Sequence, residues 1–213
     1  MKRPSFVPLV ALVLMCFATP LLAADKSAKP AAAPIDTLGT LERAVAKDST
    51  KFDNLYRLGI MYLDRDRVSE AIRVLAKANQ VKPKDTKTMV NLGAAFDAAG
   101  QSAEAQKWYE KALVIAPHDS IAGCRLASSL YSQGKYQESM DRLRGLIAEH
   151  PNAYCAYFTL GVAFADAGIY KDAIRMWQKV VQIAPDSPEA ASAKESMDVL
   201  DKYVHPKANT GSN

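Results

Sequence analysis

Reactive side chains are few in this sequence and far apart. The cysteines are Cys16, Cys124 and Cys155, and the histidines are His118, His150 and His205. No two cysteines form a Cys-x-x-Cys pair, which argues against a zinc ribbon and against a Cys-x-x-Cys-His haem attachment. A metal site drawing on both downstream cysteines with His118 and His150 would need four ligands to converge from separate turns, so none is expected. Gly134-Lys135 lacks the upstream glycine of a phosphate loop. The Gly-x-Ser-x-Gly elbow of serine hydrolases is absent. No catalytic residue, metal or cofactor is expected, and the chain does not read as an enzyme. Its function has to come from surfaces, and so from the elements that carry them.

The 213 residues are 23% charged and 49% hydrophobic, the balance of an ordinary soluble domain. The net charge of +4 falls to +2 without Lys2 and Arg3 (4 − 2), too mild for nucleic acid, which needs a concentrated basic face. Three cysteines are far from a disulfide scaffold.

Residues 1–24 read as an export signal. Lys2 and Arg3 precede a nearly unbroken apolar run from Phe6 to Leu22, and Leu22-Ala23-Ala24 offers cleavage after Ala23 or Ala24. The expected location is the periplasm. The alternative is an inner-membrane anchor made by residues 6–24, because that run approaches spanning length. Pro8, Pro20 and the alanine pair suit a processed peptide better. An uncleaved N-terminus is the only membrane contact expected. Val13-Leu14-Met15 makes a poor lipobox for Cys16. Residues 25–35 read as an Ala/Pro linker, since Pro30 and Pro34 favour extended chain and alanine builds no core.

A period of 34 residues organises the rest of the chain. It carries Pro83, Pro117, Pro151 and Pro185, then Gly100, Gly134 and Gly168 with Asp66 at the earlier place, then Gly59, Gly93, Ala127 and Gly161. Proline is about 5% of average sequence, so three more in register by chance is roughly 10⁻⁴. A fixed period of this size predicts stacked repeats. Four units are expected, at 52–85, 86–119, 120–153 and 154–187, each an apolar-periodic helix, a turn at the Gly or Asp, and a second helix stopped by the proline. Asn152 and Asp186 are expected to cap the helices that come after them. Residues 36–51 form a helix matching the second half of a unit, with Leu38, Leu41, Ala44 and Val45 on one side. Residues 188–203 form a capping helix, with Ser187 as its cap and Lys194, Glu195 and Asp198 toward water, before a disordered tail at 204–213.

The pattern resembles the tetratricopeptide repeat, W-x2-L-G-x2-Y then A-x3-F, A and P. The first unit reads Leu55, Leu58-Gly59, Tyr62, Ala71, Leu75, Ala78, Pro83; the second Met89, Leu92-Gly93, Phe96, Ala105, Tyr109, Ala112, Pro117. The third is the most divergent, with Gly123, Leu126-Ala127, Leu130, Ser139, Leu143, Ile147 and Pro151. The fourth reads Tyr157, Leu160-Gly161, Phe164, Ala173, Trp177, Val180, Pro185. The resemblance implies an all-α, right-handed α-solenoid of four helix pairs, with an N-terminal half-repeat helix and a C-terminal cap. It also implies a concave groove lined by fixed positions of each first helix. Here these are Tyr56, Ile60 and Leu63, then Val90 and Ala94 with Lys87 and Asp97 at the edge, then Ile121 and Tyr131, then Phe158 and Val162. Some relatives clamp acidic tails with Lys and Asn. Only Asn91 and Arg125 hold clamp-like places here, and Tyr56 and Ile60 replace the rest, so the clamp is not carried over. An apolar groove suits an amphipathic helix or an apolar peptide.

The implied function is a scaffold of the bacterial cell envelope that binds a protein or peptide of unknown identity. A self-associating structural protein with its groove closed, for instance by residues 25–48, is the alternative, and an accessory of a cell-wall enzyme is the more distant one. The resemblance also puts Cys124 and Cys155 on adjacent first helices. They form either a bridge closing about 30 residues, adding roughly 3–4 kcal/mol, or two small buried thiols.

Overall fold

The computed structural model describes residues 37–204. The expected leader and linker lie outside them, as does the expected tail apart from Val204, which is helical. Ten helices are present among the described residues, and no strand. In chain order they are α1 Thr37–Lys47, α2 Phe52–Leu63, α3 Val68–Val81, α4 Thr86–Ala98, α5 Ser102–Ile115, α6 Ser120–Ser132, α7 Tyr136–Glu149, α8 Tyr154–Asp166, α9 Tyr170–Ile183 and α10 Pro188–Val204. The starts of α2, α4, α6, α8 and α10 fall 34 residues apart, as do those of α3, α5, α7 and α9. The helices thus keep the period of the sequence. The described residues form two compact units, 37–134 with α1 to α6 and 135–204 with α7 to α10.

Local chemistry sets the helix ends. Asp66 takes a left-handed φ of 56° and Gly100 one of 72°, each ending the turn between paired helices. Glycine adopts that conformation freely and Asp tolerates it. The carboxylate of Asp85 accepts from Thr88 N at 2.7 Å, and that of Asp119 from Ile121 N at 2.9 Å and Ala122 N at 3.1 Å. The expected caps at Asn152 and Asp186 are corrected. The residue that caps stands directly before the helix, which is Ala153 for α8, without a side-chain bond, and Ser187 for α10. Ser187 Oγ accepts from Ala190 N at 3.0 Å, as expected. α1 is shorter than expected, because Asp48 accepts from Thr50 N at 2.9 Å and turns the chain there.

Packing explains the small residues. A Cβ on Gly59 would stand 2.5 Å from Leu75 Cγ, and one on Gly93 2.5 Å from Tyr109 Cε1. Both distances are far inside van der Waals contact, so only hydrogen fits between the paired helices. In the second unit, Gly161 gives the same room to the indole of Trp177, whose N–H donates to the Phe158 carbonyl at 3.2 Å. The first unit buries Leu55, Leu58, Tyr62, Leu75 and Leu92 in one cluster, and Met89, Tyr109, Leu126 and Leu130 in another. The second unit buries Phe158, Val162, Trp177 and Val180 with Ala190, Ala193 and Leu200 of α10. α10 covers that core, while its Lys194, Glu195 and Asp198 are exposed. In the period these three occupy the places of Leu160, Gly161 and Phe164, so a fifth pair could stack only by burying charge.

Candidate functional site

The expected groove residues fall into both units and meet different fates. In the first unit, Tyr56, Ile60 and Leu63 lie four and three residues apart on one face of α2, and all three are half-buried. Ala94 on α4 and Tyr131 on α6 are half-buried too, and Ile121 is 39% exposed. Val90 is only 8% exposed and belongs to the core. In the second unit, Phe158 is 5% and Val162 6% exposed, both inside the cluster closed by α10. Burial withdraws Val90, Phe158 and Val162 from any surface role, because a partner cannot reach a side chain that already has neighbours on all sides.

The face of α2 has an aromatic end. The rings of Phe52 and Tyr56 stack at 5.8 Å between centroids, and Lys82 Nζ sits 3.9 Å over the Phe52 ring. Asn91, the clamp-like residue of α4, is engaged within the fold. Its Nδ2 donates to Tyr56 Oη at 3.1 Å and to the Lys87 carbonyl at 3.0 Å. Asn91 thus fixes the Tyr56 ring instead of offering a free amide. Burial and the charge of Asp85 hold the Tyr56 hydroxyl above its ordinary value, against the opposing bond from Asn91.

Asp97 holds three helices at the far end of this face. Its carboxylate accepts from Tyr109 Oη of α5 at 2.9 Å and from Ser129 Oγ of α6 at 2.9 Å. Burial raises the Asp97 carboxyl. Hydrogen bonds from Tyr109, Ser129 and Ser102, with the charge of Arg125, oppose that rise. The Tyr109 hydroxyl is pushed well above its ordinary value by burial and by the Asp97 charge. Repeat position places Asp97 at the groove edge and does not reveal this linkage. The available signal is an Asp, a Tyr and a Ser on three successive helices, at places that other units fill with apolar or small residues.

A second linkage is equally hidden from the repeat pattern. Glu42 of α1 accepts from Tyr62 Oη at 2.8 Å and from Arg67 Nη1 at 2.9 Å. The Arg67 guanidinium lies 4.4 Å over the Tyr62 ring and also meets Glu70 at 2.8 Å. Together these contacts fasten the lone first helix to the turn between α2 and α3.

Cys124 is buried on α6 and Cys155 half-buried on α8, and both are disulfide-bonded. Among the described residues no helix is long and apolar enough to cross a membrane.

The model of the tetratricopeptide repeat matches residues 56–120 and 124–188. Superkiller protein 3 of Saccharomyces cerevisiae is 33% identical over 92 residues, which is 43% of this chain and 6% of that protein. Anaphase-promoting complex subunit 7 of Dictyostelium discoideum is 24% identical over 176 residues, 81% of this chain and 30% of that protein. The chain thus spans under a third of these relatives' length. Among solved structures, MamA superposes with a TM-score of 0.57 at 20% identity, covering 74% of this chain and 89% of that one. YrrB, a TPR protein with an unusual peptide-binding site, gives 0.53 at 22%, covering 74% and 81%. PilF of Pseudomonas aeruginosa gives 0.56 at 22%, covering 79% of each. These likenesses show an all-helical repeat fold, and the matched family is a repeat family rather than a catalytic one.

Proposed function

The chain belongs to the tetratricopeptide repeat family, and from that premise we propose that it is a non-enzymatic protein-binding scaffold of the bacterial cell envelope. Proteins of this fold serve protein–protein interaction. One observation carries the choice of surface: Tyr56, Ile60, Leu63 and Ala94 stay half-buried on α2 and α4 while the matching residues of α8 are sealed. A half-covered apolar and aromatic face of this kind suits an amphipathic helix or an apolar peptide. The peptide-binding site named for YrrB supports the reading by analogy. Self-stacking through α10 is disfavoured by its exposed Lys194, Glu195 and Asp198.

Export supports the envelope placement, on Lys2, Arg3, the apolar run from Phe6 to Leu22 and the alanines after it. We propose cleavage after Ala23 or Ala24. Cys124 and Cys155 are proposed to bridge each other, as an oxidising compartment favours. Mass mapping of unreduced tryptic peptides checks the pair.

The test is crosslinking capture from envelope extract by the unsubstituted chain and by Ile60→Asp and Tyr131→Asp. Capture lost in both variants at an unchanged melting temperature supports the adaptor. Capture retained in both overturns this face as the binding surface, and loss of stability in parallel with loss of capture overturns a purely surface role for these residues.

A further inference from the structure

The first unit exposes its large apolar side chains at one end. Among its described residues these are Val81, Val114, Ile115 and Ile121, and Val114 is 83% exposed. Val81 closes α3, Ile115 closes α5 directly after Val114, and Ile121 is the second residue of α6. Those helix ends lie on one side, because helices joined by short turns run antiparallel. Lys82, just after α3, sits over the Phe52 ring at the start of α2. At the other end, Ser129 Oγ donates to Asp97 at 2.9 Å and to the Ser102 carbonyl at 3.3 Å. That joins the end of α4, the start of α5 and the end of α6, and leaves the end of α5 and the start of α6 opposite.

The repeat does not call for these residues. Val114 takes the place that Gln80 and Gln182 hold in other repeats, so a polar side chain serves the fold equally well there. A single exposed aliphatic residue needs no explanation, whereas several gathered at one end of a unit mark a contact surface.

The same end is basic. Around the start of α4, Lys82, Lys84 and Lys87 are exposed and outnumber Asp85, an excess of +2 (3 − 1). Around the start of α2, Lys47 and Lys51 cancel Asp48 and Asp53. Lys77 and Lys111, one turn before the ends of α3 and α5, cancel Glu110 and Asp119. Three of these carboxylates are bound into their own turns: Asp48 accepts from Thr50 N at 2.9 Å, Asp85 from Thr88 N at 2.7 Å and Asp119 from Ile121 N at 2.9 Å. Two of the ammonium groups lie against aromatic rings, Lys82 Nζ 3.9 Å over Phe52 and Lys111 Nζ 4.1 Å over Trp108. At the opposite end, residues 64–70 carry three carboxylates against Arg65 and Arg67. The exposed aliphatic residues therefore stand on the positive end of the unit.

We infer that this end of the first unit docks on an anionic lipid bilayer, with Val81, Val114, Ile115 and Ile121 at the boundary between headgroups and acyl chains and Lys82, Lys84 and Lys87 against lipid phosphates. Apolar area supplies the binding and the lysines supply the preference for anionic lipid. Val81 and Ile115 close successive second helices of the stack, and neighbouring packed helices lie about 8–10 Å apart. The apolar groups are thus spread along a broad edge, which fits a flat surface better than a single peptide. The contact uses helix ends, so it leaves the sides of α2 and α4 free for a protein partner. It is also distinct from the membrane contact expected of residues 6–24.

The test is co-sedimentation with vesicles of equal phosphatidylglycerol and phosphatidylcholine, and with vesicles of phosphatidylcholine alone. The protein is residues 25–213, which keep all ten described helices and lack the apolar run from Phe6 to Leu22, which would bind lipid by itself. Binding to the anionic vesicles and not to the zwitterionic ones is expected. Val114→Gln with Ile115→Gln, and separately Lys82→Glu with Lys84→Glu, are each expected to weaken that binding at least about tenfold at an unchanged melting temperature. Val199→Gln, at an exposed site on α10 of the second unit, is expected to leave it unchanged. If the apolar pair lowers the melting temperature, Val114→Gln alone decides, with a loss of about threefold expected. Absence of binding to anionic vesicles overturns the inference. Binding that falls with the lysine pair and not with the apolar one also overturns it, and assigns this end to an acidic protein instead. An equal fall with Val199→Gln overturns the assignment to the first unit.

Discussion

α2 and α8 carry the same motif three repeats apart and end up in opposite states. Tyr56, Ile60 and Leu63 correspond in the period to Phe158, Val162 and Ala165. The first three are half-buried, and the second three are 5%, 6% and 7% exposed. Nothing in the residue types foretells this, since an aromatic, a β-branched residue and a small or aliphatic one fill both sets. The neighbours decide. α8 lies in a unit completed by α10, whose Ala190, Ala193 and Leu200 share its core. α2 lies in a unit that opens with the single helix α1, whose one fully buried residue is Leu41. Repeat position therefore reports where a side chain points, and only the flanking elements report whether anything is left for a partner.

The largest contrast comes from placing a carboxylate at the same register position of each helix. Phe158→Asp buries an unpaired charge beside Trp177 and is expected to cost about 4 kcal/mol or more, unfolding the second unit. Tyr56→Asp stands on the half-covered face and is expected to cost about 1 kcal/mol while weakening partner capture. Urea unfolding monitored by far-UV circular dichroism reads both. Similar costs for the two would erase the distinction between a sealed helix and an open one. For this reason Phe158→Asp is unsuitable as a binding control.

A smaller contrast lies in the close approaches. Gly161→Ala drives a methyl into the Trp177 indole, a ring 1% exposed and tied by its N–H to the Phe158 carbonyl. Gly59→Ala meets the branched end of Leu75, which can change rotamer. Overpacking of this kind costs about 1–3 kcal/mol. The tryptophan site is expected at the upper end and the leucine site at the lower. Melting temperatures of the two variants decide it, and an equal loss would mean that the indole yields as easily as an isobutyl group.

Below these comes the fastening of α1. Glu42→Ala removes the acceptor shared by Tyr62 and Arg67. Glu42 and Arg67 are 37% and 39% exposed in their side chains, so solvent screens the pair and the expected cost is only about 1 kcal/mol. Hydrogen exchange in α1 is expected to quicken about fivefold, with α8 and α9 unchanged. Equal quickening in both units would show that α1 is not an independently opening end.

Whether a feature is legible in the sequence depends on what fixes it. The ten helices, the left-handed Asp66 and Gly100 and the close approaches at Gly59 and Gly161 depend on local conformation or on a partner at a fixed sequence distance, and the period displays all of them. The cap at Ser187 is legible for the same reason. The burial of Val90, Phe158 and Val162 depends on how neighbouring elements close over them, which a motif position does not encode. Asp97, with Tyr109 and Ser129, depends on three helices meeting at one point, and Glu42 on the antiparallel return of α1. Such polar contacts join residues 12 to 32 positions apart without any repeating pattern.

Asp97 yields the smallest expected effect, and its sign can be worked out. Its carboxyl is raised above the ordinary value of 3.8, chiefly by burial, with the bonds from Tyr109, Ser129 and Ser102 opposing. A group whose folded value lies above its unfolded one binds protons more readily in the native state. Its contribution is present below the unfolded value and fades as pH rises through the folded one. Asp97→Asn keeps an oxygen acceptor for Tyr109 or Ser129 and does not titrate, so the other carboxylates cancel in the difference between the two proteins. The unsubstituted chain is therefore expected to gain melting temperature on the Asn variant as pH falls from 7 toward 4, with the change concentrated just above the ordinary carboxylate value. A loss of ground over that range would mean that the three hydrogen bonds outweigh burial. The carboxylate would then be a net stabiliser of the α4–α5–α6 junction, and the open unit would hold its polar centre more firmly than the burial of Asp97 suggests.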